Sequence, residues 1–533
     1  MPKVLICDPI DERGAKILQR TADVTIKTGL KEDELIELVP EFDALMVRSQ
    51  TKITRAVIEA ASKLQIVGRA GVGVDNIDVP AATERGVIVV NSPGGNTVAV
   101  AELTLAMMLD LVRRIMPAHA SMLRGEWKRS AFLGRQLWGK TLGVVGVGRI
   151  GVEVIRRAQA FDMKVLGFDP FLTDARANQL GIEAVTVEEI LKRSDFVTLH
   201  TPLTKETKNL IDAESIATMK NTAVIINCSR GGIIDEAALY DALKNGKLGG
   251  AGLDVFAVEP STDSPLRELE NVVLTPHLGA STEEAQVEVA VDVAEQIVDV
   301  LAGRPPQSAV NLPPLPPETR EFLAPFLPLV EKLGKVHSQM CDGRIESVDL
   351  SYCGELNEYD VAPLTRLFLK GLLQPSFDQA VTYVNAPKLA ESRGVNITET
   401  KCGKTKGYAS LVEARVNWND NGRIRTRQID GTIFNGRDPF IVGIQGLKID
   451  VAPENNLLVL FNTDKPGMIG MVGTLLGSAG VNIVGMHVGR KTVGERAVMV
   501  VTCEEPIPDS VIEQLEAHPD LFGARQVDLR NGG

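Results

Sequence analysis

Neither closely spaced cysteines nor closely spaced histidines occur in this sequence. Its six cysteines (Cys7, Cys228, Cys341, Cys353, Cys402 and Cys503) show no CxxC spacing, and its six histidines form no HExxH or similar pair. No metal is expected, because the common zinc sites need such spacings. Scattered thiols predict free cysteines in a reducing compartment. Long apolar runs are missing too: no segment approaches the roughly 20 residues that span a bilayer. Residues 1–9 lack the basic start and long apolar stretch of a secretory signal, so a cytoplasmic location is expected. Positive charge is in deficit, with 57 Lys and Arg against 69 Asp and Glu and a net charge of -12. That balance tells against nucleic acid or an anionic membrane as partner. An anionic metabolite stays open, provided its pocket is locally basic.

What the chain does have is 44% apolar and 24% charged residues over 533 positions. This is an ordinary globular balance at a length that suggests roughly three to four domains. Apolar strand patterns at 4–7, 44–47, 66–68 and 87–91 alternate with helical ones at 11–20 and 55–61. Such alternation predicts a parallel α/β sheet. An Ala- and Leu-rich helix over 99–114 suits a bridge between domains or a subunit interface. A second series follows, with strands near 141–146, 164–169, 195–200, 223–227, 249–254 and 271–275, then a long helix over 283–302. Six prolines between 303 and 317 cannot continue that helix and mark a linker. Residues 318–450 mix helix and strand. From 455 the order strand, helix, strand, strand, helix, strand implies a ferredoxin-like α+β sandwich.

The strongest local signal is Gly146-Val-Gly148-Arg149-Ile150-Gly151, which follows an apolar strand and opens a helix over 152–160. Gly146 permits the tight turn, Gly148 lets a pyrophosphate approach the backbone, and Gly151 lets helix and strand pack. Asp169 ends the next strand, 18 residues past Gly151. A carboxylate there accepts from ribose hydroxyls and repels a 2′-phosphate, so NAD is expected rather than NADP.

Three further residues fall at the ends of later strands, where open α/β sheets bind their ligands. They are Arg230 after 223–226, Glu259 after 249–254, and His277 after 271–275. Arginine grips a carboxylate in a bidentate fork. Histidine takes a hydroxyl proton, and a carboxylate on its second nitrogen fixes the tautomer. Together they suit oxidation of a hydroxy acid. Taken singly, each is as well explained as a surface charge, a turn residue before Pro260, and a strand-end cap.

With these motifs the chain, over residues 1 to about 310, resembles the D-isomer-specific 2-hydroxyacid dehydrogenase family. Val47-Arg48-Ser49, Gly68-Arg69-Ala-Gly71-Val-Gly73, Ser92-Pro-Gly-Gly-Asn96-Thr97 and Val384-Asn-Ala-Pro-Lys extend the resemblance over the whole length to the family's long-form D-3-phosphoglycerate dehydrogenase branch. The resemblance implies an α/β fold: a Rossmann-type NAD domain (99–288) inserted in a flavodoxin-like substrate domain (1–98 and 289–310). An α+β intervening domain (311–452) and a ferredoxin-like ACT regulatory domain (453–533) follow. It implies catalytic Arg230, Glu259 and His277. It implies NAD contacts at Gly146, Gly148, Arg149, Ile150, Gly151, Asp169, Thr201, Cys228, Ser229, Asp254, Gly279 and Ala280. For the substrate, 3-phosphoglycerate, it implies Arg48, Ser49, Arg69, Gly71, Gly73, Asn96, and Arg129 from a neighbouring subunit of a homo-oligomer, dimer or tetramer. Asp464 and Asn482 are its implied contacts to an L-serine effector, and both also read as ordinary helix and turn caps. Two alternatives remain: a hydroxypyruvate, glyoxylate or D-lactate enzyme with the same trio, and an NAD(H)-sensing corepressor. The acidic balance and the ACT-like tail tell against the corepressor.

Overall fold

In a computed structural model, which describes all residues except 314, 378–379, 493 and 531–533, four sheets follow one another along the chain. Pro314 of the expected linker and the last three residues of the expected terminal domain lie outside the described residues. Strands β1 (Lys3–Ile6), β2 (Asp23–Ile26), β3 (Ala44–Val47), β4 (Ile66–Arg69) and β5 (Ile88–Asn91) form the first sheet in the order β2-β1-β3-β4-β5. All its pairs are parallel, the flavodoxin-like order. Strand β2 was not expected from the sequence. Its Asp-Val-Thr-Ile is exposed or half-buried throughout, as befits an edge strand, so it lacks the apolar run that marks its neighbours.

The second sheet takes β6 (Thr141–Val145), β7 (Lys164–Phe168), β8 (Glu183–Ala184), β9 (Phe196–Leu199), β10 (Val224–Asn227), β11 (Gly250–Leu253) and β12 (Val272–Leu274) in the order β12-β11-β10-β9-β6-β7-β8. Its chain reverses direction at β6, the switch point where a doubly wound sheet opens its crevice. Helix Thr97–Arg113 enters this unit and packs Val100, Leu105 and Met108 into its core. Helix Glu283–Leu301 leaves it and buries Val289, Val293 and Ile297 against the first sheet. Ala309 then bridges to Val90 of β5, and Val310 N donates to the Val89 carbonyl at 2.7 Å. Part of the proline-rich linker is therefore tied to the first sheet, and Pro317 opens helix Pro317–Leu323.

The third sheet comprises β13 (Arg344–Gly354), β14 (Asn396–Cys402), β15 (Ser410–Asp420), β16 (Arg423–Phe434), β17 (Asp438–Ile444) and β18 (Leu447–Val451), ordered β14-β13-β15-β16-β17-β18. The fourth comprises β19 (Asn456–Thr463), β20 (Ile483–Arg490), β21 (Arg496–Cys503) and β22 (Leu521–Asp528), ordered β20-β21-β19-β22 and antiparallel. With helices Met468–Ser478 and Asp509–Glu516 this gives the expected ferredoxin-like order. One apolar cluster runs through both units, from Leu329 and Leu333 to Val459, Val500 and Val527.

The expectation of six free cysteines is corrected here. Cys353 and Cys402 are joined as a disulfide, because the register of β13 and β14 sets them side by side. A separation of 49 residues hides that pairing from any reading of spacing. No helix among the described residues is long and apolar enough to cross a membrane. No cluster of metal-ligating side chains occurs among them either.

Candidate active site

The glycine motif lies where β6 meets helix Arg149–Ala160. Gly146 has φ of 96°, and a Cβ on it would come within 2.5 Å of the His200 carbonyl. A Cβ on Gly151 would strike the Gly146 carbonyl at 2.2 Å, whereas one on Gly148 would meet nothing within 4 Å. The first and third glycines are thus required by packing, and the second leaves open space at the helix N-terminus. That helix has Gly148 as N-cap with no side-chain cap, so its first N–H groups stay free for an anion. Asp169 stands alongside, accepting from Val147 N at 3.1 Å and Phe171 N at 2.9 Å. Thr201 Oγ1, next to Gly146, is buried without a partner, as are Ser92 Oγ, Asn96 Oδ1 and Thr97 Oγ1 where β5 leads into helix Thr97–Arg113. Orphaned groups beside an open glycine loop fit a dinucleotide.

His200, beneath the loop, is partly buried and bonded through Nε2 to Thr198 Oγ1 at 3.0 Å. Burial lowers its pKa to about 4, and that of the buried His337 to about 3, where Arg427 adds to the effect. Both are therefore neutral in the folded state and protonate more readily once unfolded. Their contribution to stability is complete above the ordinary value of 6.5 and is lost as pH falls from there toward 4 for His200 and toward 3 for His337. Thermal unfolding should show a midpoint that drops between pH 7 and pH 5, with a shallower drop in His337→Phe. Equal slopes in the two proteins would remove His337 as a cause.

Strands β10, β11 and β12 are neighbours, and the acid–base candidates leave their C-terminal ends. Asn227, buried at the end of β10, accepts from Ser229 N and Oγ and donates to the Arg230 carbonyl at 2.8 Å. It shapes the turn that presents Arg230. Cys228 in the same turn points inward, its Sγ 3.7 Å from Met107 Sδ, and burial pushes the thiol up to about 12. After β11, Asp254 is fully buried and accepts from Thr275 Oγ1, Leu278 N and Gly279 N at 2.6 to 2.8 Å. This carboxylate holds the loop that carries His277, while Gln286 ties down the Ala280 carbonyl at 2.6 Å. His277 has φ of 57°, an uncommon conformation for a non-glycine residue. Its N–H reaches the Asp254 carbonyl at 2.9 Å. Glu259 closes the arrangement: Oε2 is 2.8 Å from His277 Nδ1, and Oε1 accepts from Phe256 N at 3.0 Å. With Nδ1 engaged, Nε2 is left to exchange protons. His277 keeps 46% of its side-chain exposure, so it is open to a ligand.

Three guanidinium groups converge from the other side. Arg230 Nε donates to Asp75 at 3.0 Å, and a Cβ on Gly73 would lie 1.8 Å from Arg230 Nη2. Gly71, at φ of 149°, stands the same way to Arg69 Nη1. Burial lowers the Arg69 pKa to about 10, with nearby Arg230 and Arg48 adding to the effect, and its Nε has no partner. This is the locally basic pocket that an acidic protein needs for an anionic ligand. Arg149 Nη1 lies 3.6 Å from a Cβ placed on Gly94.

Four supporting residues went unrecognised in the sequence: Asp8, Asp75, Asn76 and Asn227. Asp8, 1% exposed, accepts from Arg48 N at 2.5 Å and Thr51 Oγ1 at 2.6 Å. Asn76 donates to the Arg48 and Thr51 carbonyls. An acidic residue closing an apolar strand was the available signal for Asp8. Asp8→Asn should raise the Michaelis constant for the anionic substrate by roughly 5–150-fold, the equivalent of about 1–3 kcal/mol for disrupted buried hydrogen bonds. Titration of cofactor binding should be unaffected, and an equal loss in both would make the effect a folding defect. Not every expected residue joins this cleft. Arg129 sits on an exposed turn beside the exposed Trp127. Asp464 pairs with Arg490 at 2.7 Å, and Asn482 donates to Glu504 at 3.2 Å, both in the fourth sheet unit.

Comparison with known proteins places this geometry. Residues 105–279 match the NAD binding domain of D-isomer specific 2-hydroxyacid dehydrogenases, 322–445 the D-3-phosphoglycerate dehydrogenase intervening domain, and 456–520 the ACT domain. D-3-phosphoglycerate dehydrogenase of Synechocystis sp. is 49% identical over 99% of this chain and 95% of its own length. The chain belongs to the D-3-phosphoglycerate dehydrogenase family. Among solved structures, the TT0316 protein of Thermus thermophilus is 36% identical with a TM-score of 0.55, over 58% of this chain and 99% of its own. D-lactate dehydrogenase from Escherichia coli is 30% identical with a TM-score of 0.52, over 58% of this chain and 100% of its own. Each of the two covers 58% of this chain and leaves the rest unmatched.

Proposed function

We propose that this protein oxidises 3-phospho-D-glycerate to 3-phosphohydroxypyruvate with NAD, the first step of L-serine synthesis. The observation that carries this is the convergence of Arg48, Arg69 and Arg230 beside a Glu259-held histidine, within a chain similar end to end to D-3-phosphoglycerate dehydrogenases. Arg230 binds the carboxylate in a fork. Arg48 and Arg69, with the Ser49, Gly71, Gly73 and Asn96 loops, receive the phosphate. Nε2 of His277 takes the C2 hydroxyl proton, and Glu259 holds the imidazole and stabilises its charged form. Residues 146–151, Asp169, Thr201, Ser229 and Gly279 hold NAD, which when bound supplies the hydride acceptor. Asp169→Ala should relax the preference for NAD over NADP, read as the ratio of kcat/KM for the two; an unchanged ratio would remove Asp169 from cofactor choice.

The assay is NADH formation at alkaline pH with the ketone product trapped. Saturable turnover of 3-phosphoglycerate well above that of D-lactate or D-glycerate supports the assignment. Turnover of the unphosphorylated acids alone would favour the second reading, a D-lactate or glyoxylate type of enzyme, which the likeness to D-lactate dehydrogenase over the catalytic portion keeps open.

The domain boundaries proposed are 1–98 with 289–310, 99–288, 311–452 and 453–533, supported by the sheets and the matched spans. The ACT domain supports a small-molecule effector, for which L-serine at Asp464 and Asn482 is proposed. Calorimetry showing no heat with millimolar serine would dismiss it. A homo-oligomer, dimer or tetramer, in the cytoplasm completes the proposal. It is supported by the exposed Leu123, Trp127, Leu133 and Trp138 around Arg129, an apolar surface of the kind that pairs subunits.

A further inference from the structure

Strands β13 and β14 run parallel and in register from Ser347↔Asn396 to Cys353↔Cys402. This sets both cysteine side chains on one face of the sheet, with Cα atoms 4.5 Å apart, a separation a disulfide accepts. The two sulfurs are not equivalent. Cys353 is fully buried beside Leu411 and Val442. Cys402 is partly exposed, at the end of an edge strand whose other six residues are all exposed. The remaining thiols differ from this pair. Cys7, Cys228 and Cys503 are buried, and burial pushes the thiols of Cys7, Cys341 and Cys503 up to about 12, 11 and 11. They carry little thiolate near neutral pH.

The cross-link spans 49 residues, and within that span lies a segment that docks on the catalytic half. Thr382 Oγ1 donates to the Gly86 carbonyl at 2.8 Å, and Lys388 Nζ to Glu84 at 3.2 Å. A Cβ on Gly86 would lie 2.3 Å from Thr382 Oγ1 and 2.6 Å from Asn385 Nδ2. Gly86 ends helix Val79–Arg85, whose N-cap is Asp78. Two residues before it stands Asn76, which holds the Arg48 loop. Helix Ala386–Ser392 then leads directly into β14 and Cys402.

We propose that Cys353 and Cys402 form a reversible dithiol–disulfide site, exchanging with low-molecular-weight thiols and disulfides, that sets how firmly residues 380–402 are held against the catalytic half. A small thiolate attacks the accessible Cys402 Sγ, the S–S bond breaks, and Cys353 leaves as a thiolate that takes up a proton. A second small thiolate displaces the mixed disulfide, releasing a small disulfide and the protonated Cys402 thiol. Two electrons and two protons have then entered the protein, and two small thiols have become one disulfide. Oxidation is the reverse, with the small disulfide as oxidant. Opening the cross-link restores conformations to the intervening chain that the closed loop forbids, so the docked segment opens more often.

The test equilibrates the full-length protein in graded glutathione and glutathione disulfide mixtures, quenches with acid, and maps linked and alkylated cysteines by mass spectrometry. Hydrogen exchange is followed in parallel over 380–402 and 79–86. Cys353 and Cys402 should convert together between linked and alkylated forms while the other four stay alkylated. Reduction should speed exchange over 380–402 by roughly tenfold. Cys402→Ser, and Cys353→Ala/Cys402→Ala as a second variant, should keep the fast pattern in every mixture while retaining the circular dichroism of the parent. Six alkylated thiols in the most oxidising mixture would overturn the proposal. So would a bond that survives the most reducing one, or exchange over 380–402 identical in the two states. None of these readouts uses turnover, so they stand apart from the substrate assignment.

Discussion

Replacing His277 by alanine should lower turnover of 3-phosphoglycerate by roughly 10²–10⁴-fold, the range that a positioned general base supplies. Affinity for NAD, titrated by quenching of tryptophan fluorescence, should hardly change, because the glycine loop and Asp169 are built on β6 and β7 and not on the histidine loop. Glu259→Gln should produce a smaller loss. Its Oε1 position can still accept from Phe256 N, but the amide no longer carries the charge that stabilises an imidazolium on Nδ1. The order His277→Ala, then Glu259→Gln, then parent is therefore the expected ranking of kcat. Full turnover in His277→Ala would take the residue out of the mechanism.

Arg230→Lys should also be damaging, although it preserves the charge. Lysine offers a compact ammonium in place of the planar fork, and the backbone at Gly73 is shaped against that fork, with no room for even a Cβ. Trading the paired bonds of the fork for one ammonium contact costs about 1.5–3 kcal/mol, the worth of a hydrogen bond to a charged group, or roughly 10–150-fold in kcat/KM. The loss should fall alike on phosphorylated and unphosphorylated 2-hydroxy acids, because it concerns their shared carboxylate. Arg69→Leu should instead penalise the phosphorylated substrate more. Steady-state kinetics on both substrates separates the two assignments. A loss in Arg230→Lys confined to the phosphorylated acid would exchange the roles of these arginines.

Residues whose constraint is local could be found in the sequence. The glycines at 146, 148 and 151 follow from the sharp turn between a strand and a helix, and the structure gives Gly146 and Gly151 a packing reason while leaving open space at Gly148. The ends of β10 and β11 were legible because buried parallel strands are short apolar runs, and that of β12 because its three residues are apolar though half-buried. By contrast, β2 and helix Glu32–Leu38 were missed. The strand is a half-exposed edge, and the helix buries only Leu35 among its seven residues. Residues that act through others were equally hidden: Asp8, Asn76 and Asn227 look like turn formers until the carbonyls and amides they serve are brought near.

The sequence by itself determined the α/β class, the place of the glycine loop between a strand and a helix, the strand ends that carry the acid–base candidates, and the terminal α+β unit. All of these depend on residues close together in the chain or on periodic burial. Only the tertiary structure decided three things. It engaged the Asp254 carboxylate with the histidine loop, crowded three arginines into one pocket, and joined Cys353 to Cys402. Each depends on strand order and register between segments tens to hundreds of residues apart. Those are set by how whole sheets pack rather than by local preference, so a single sequence does not display them.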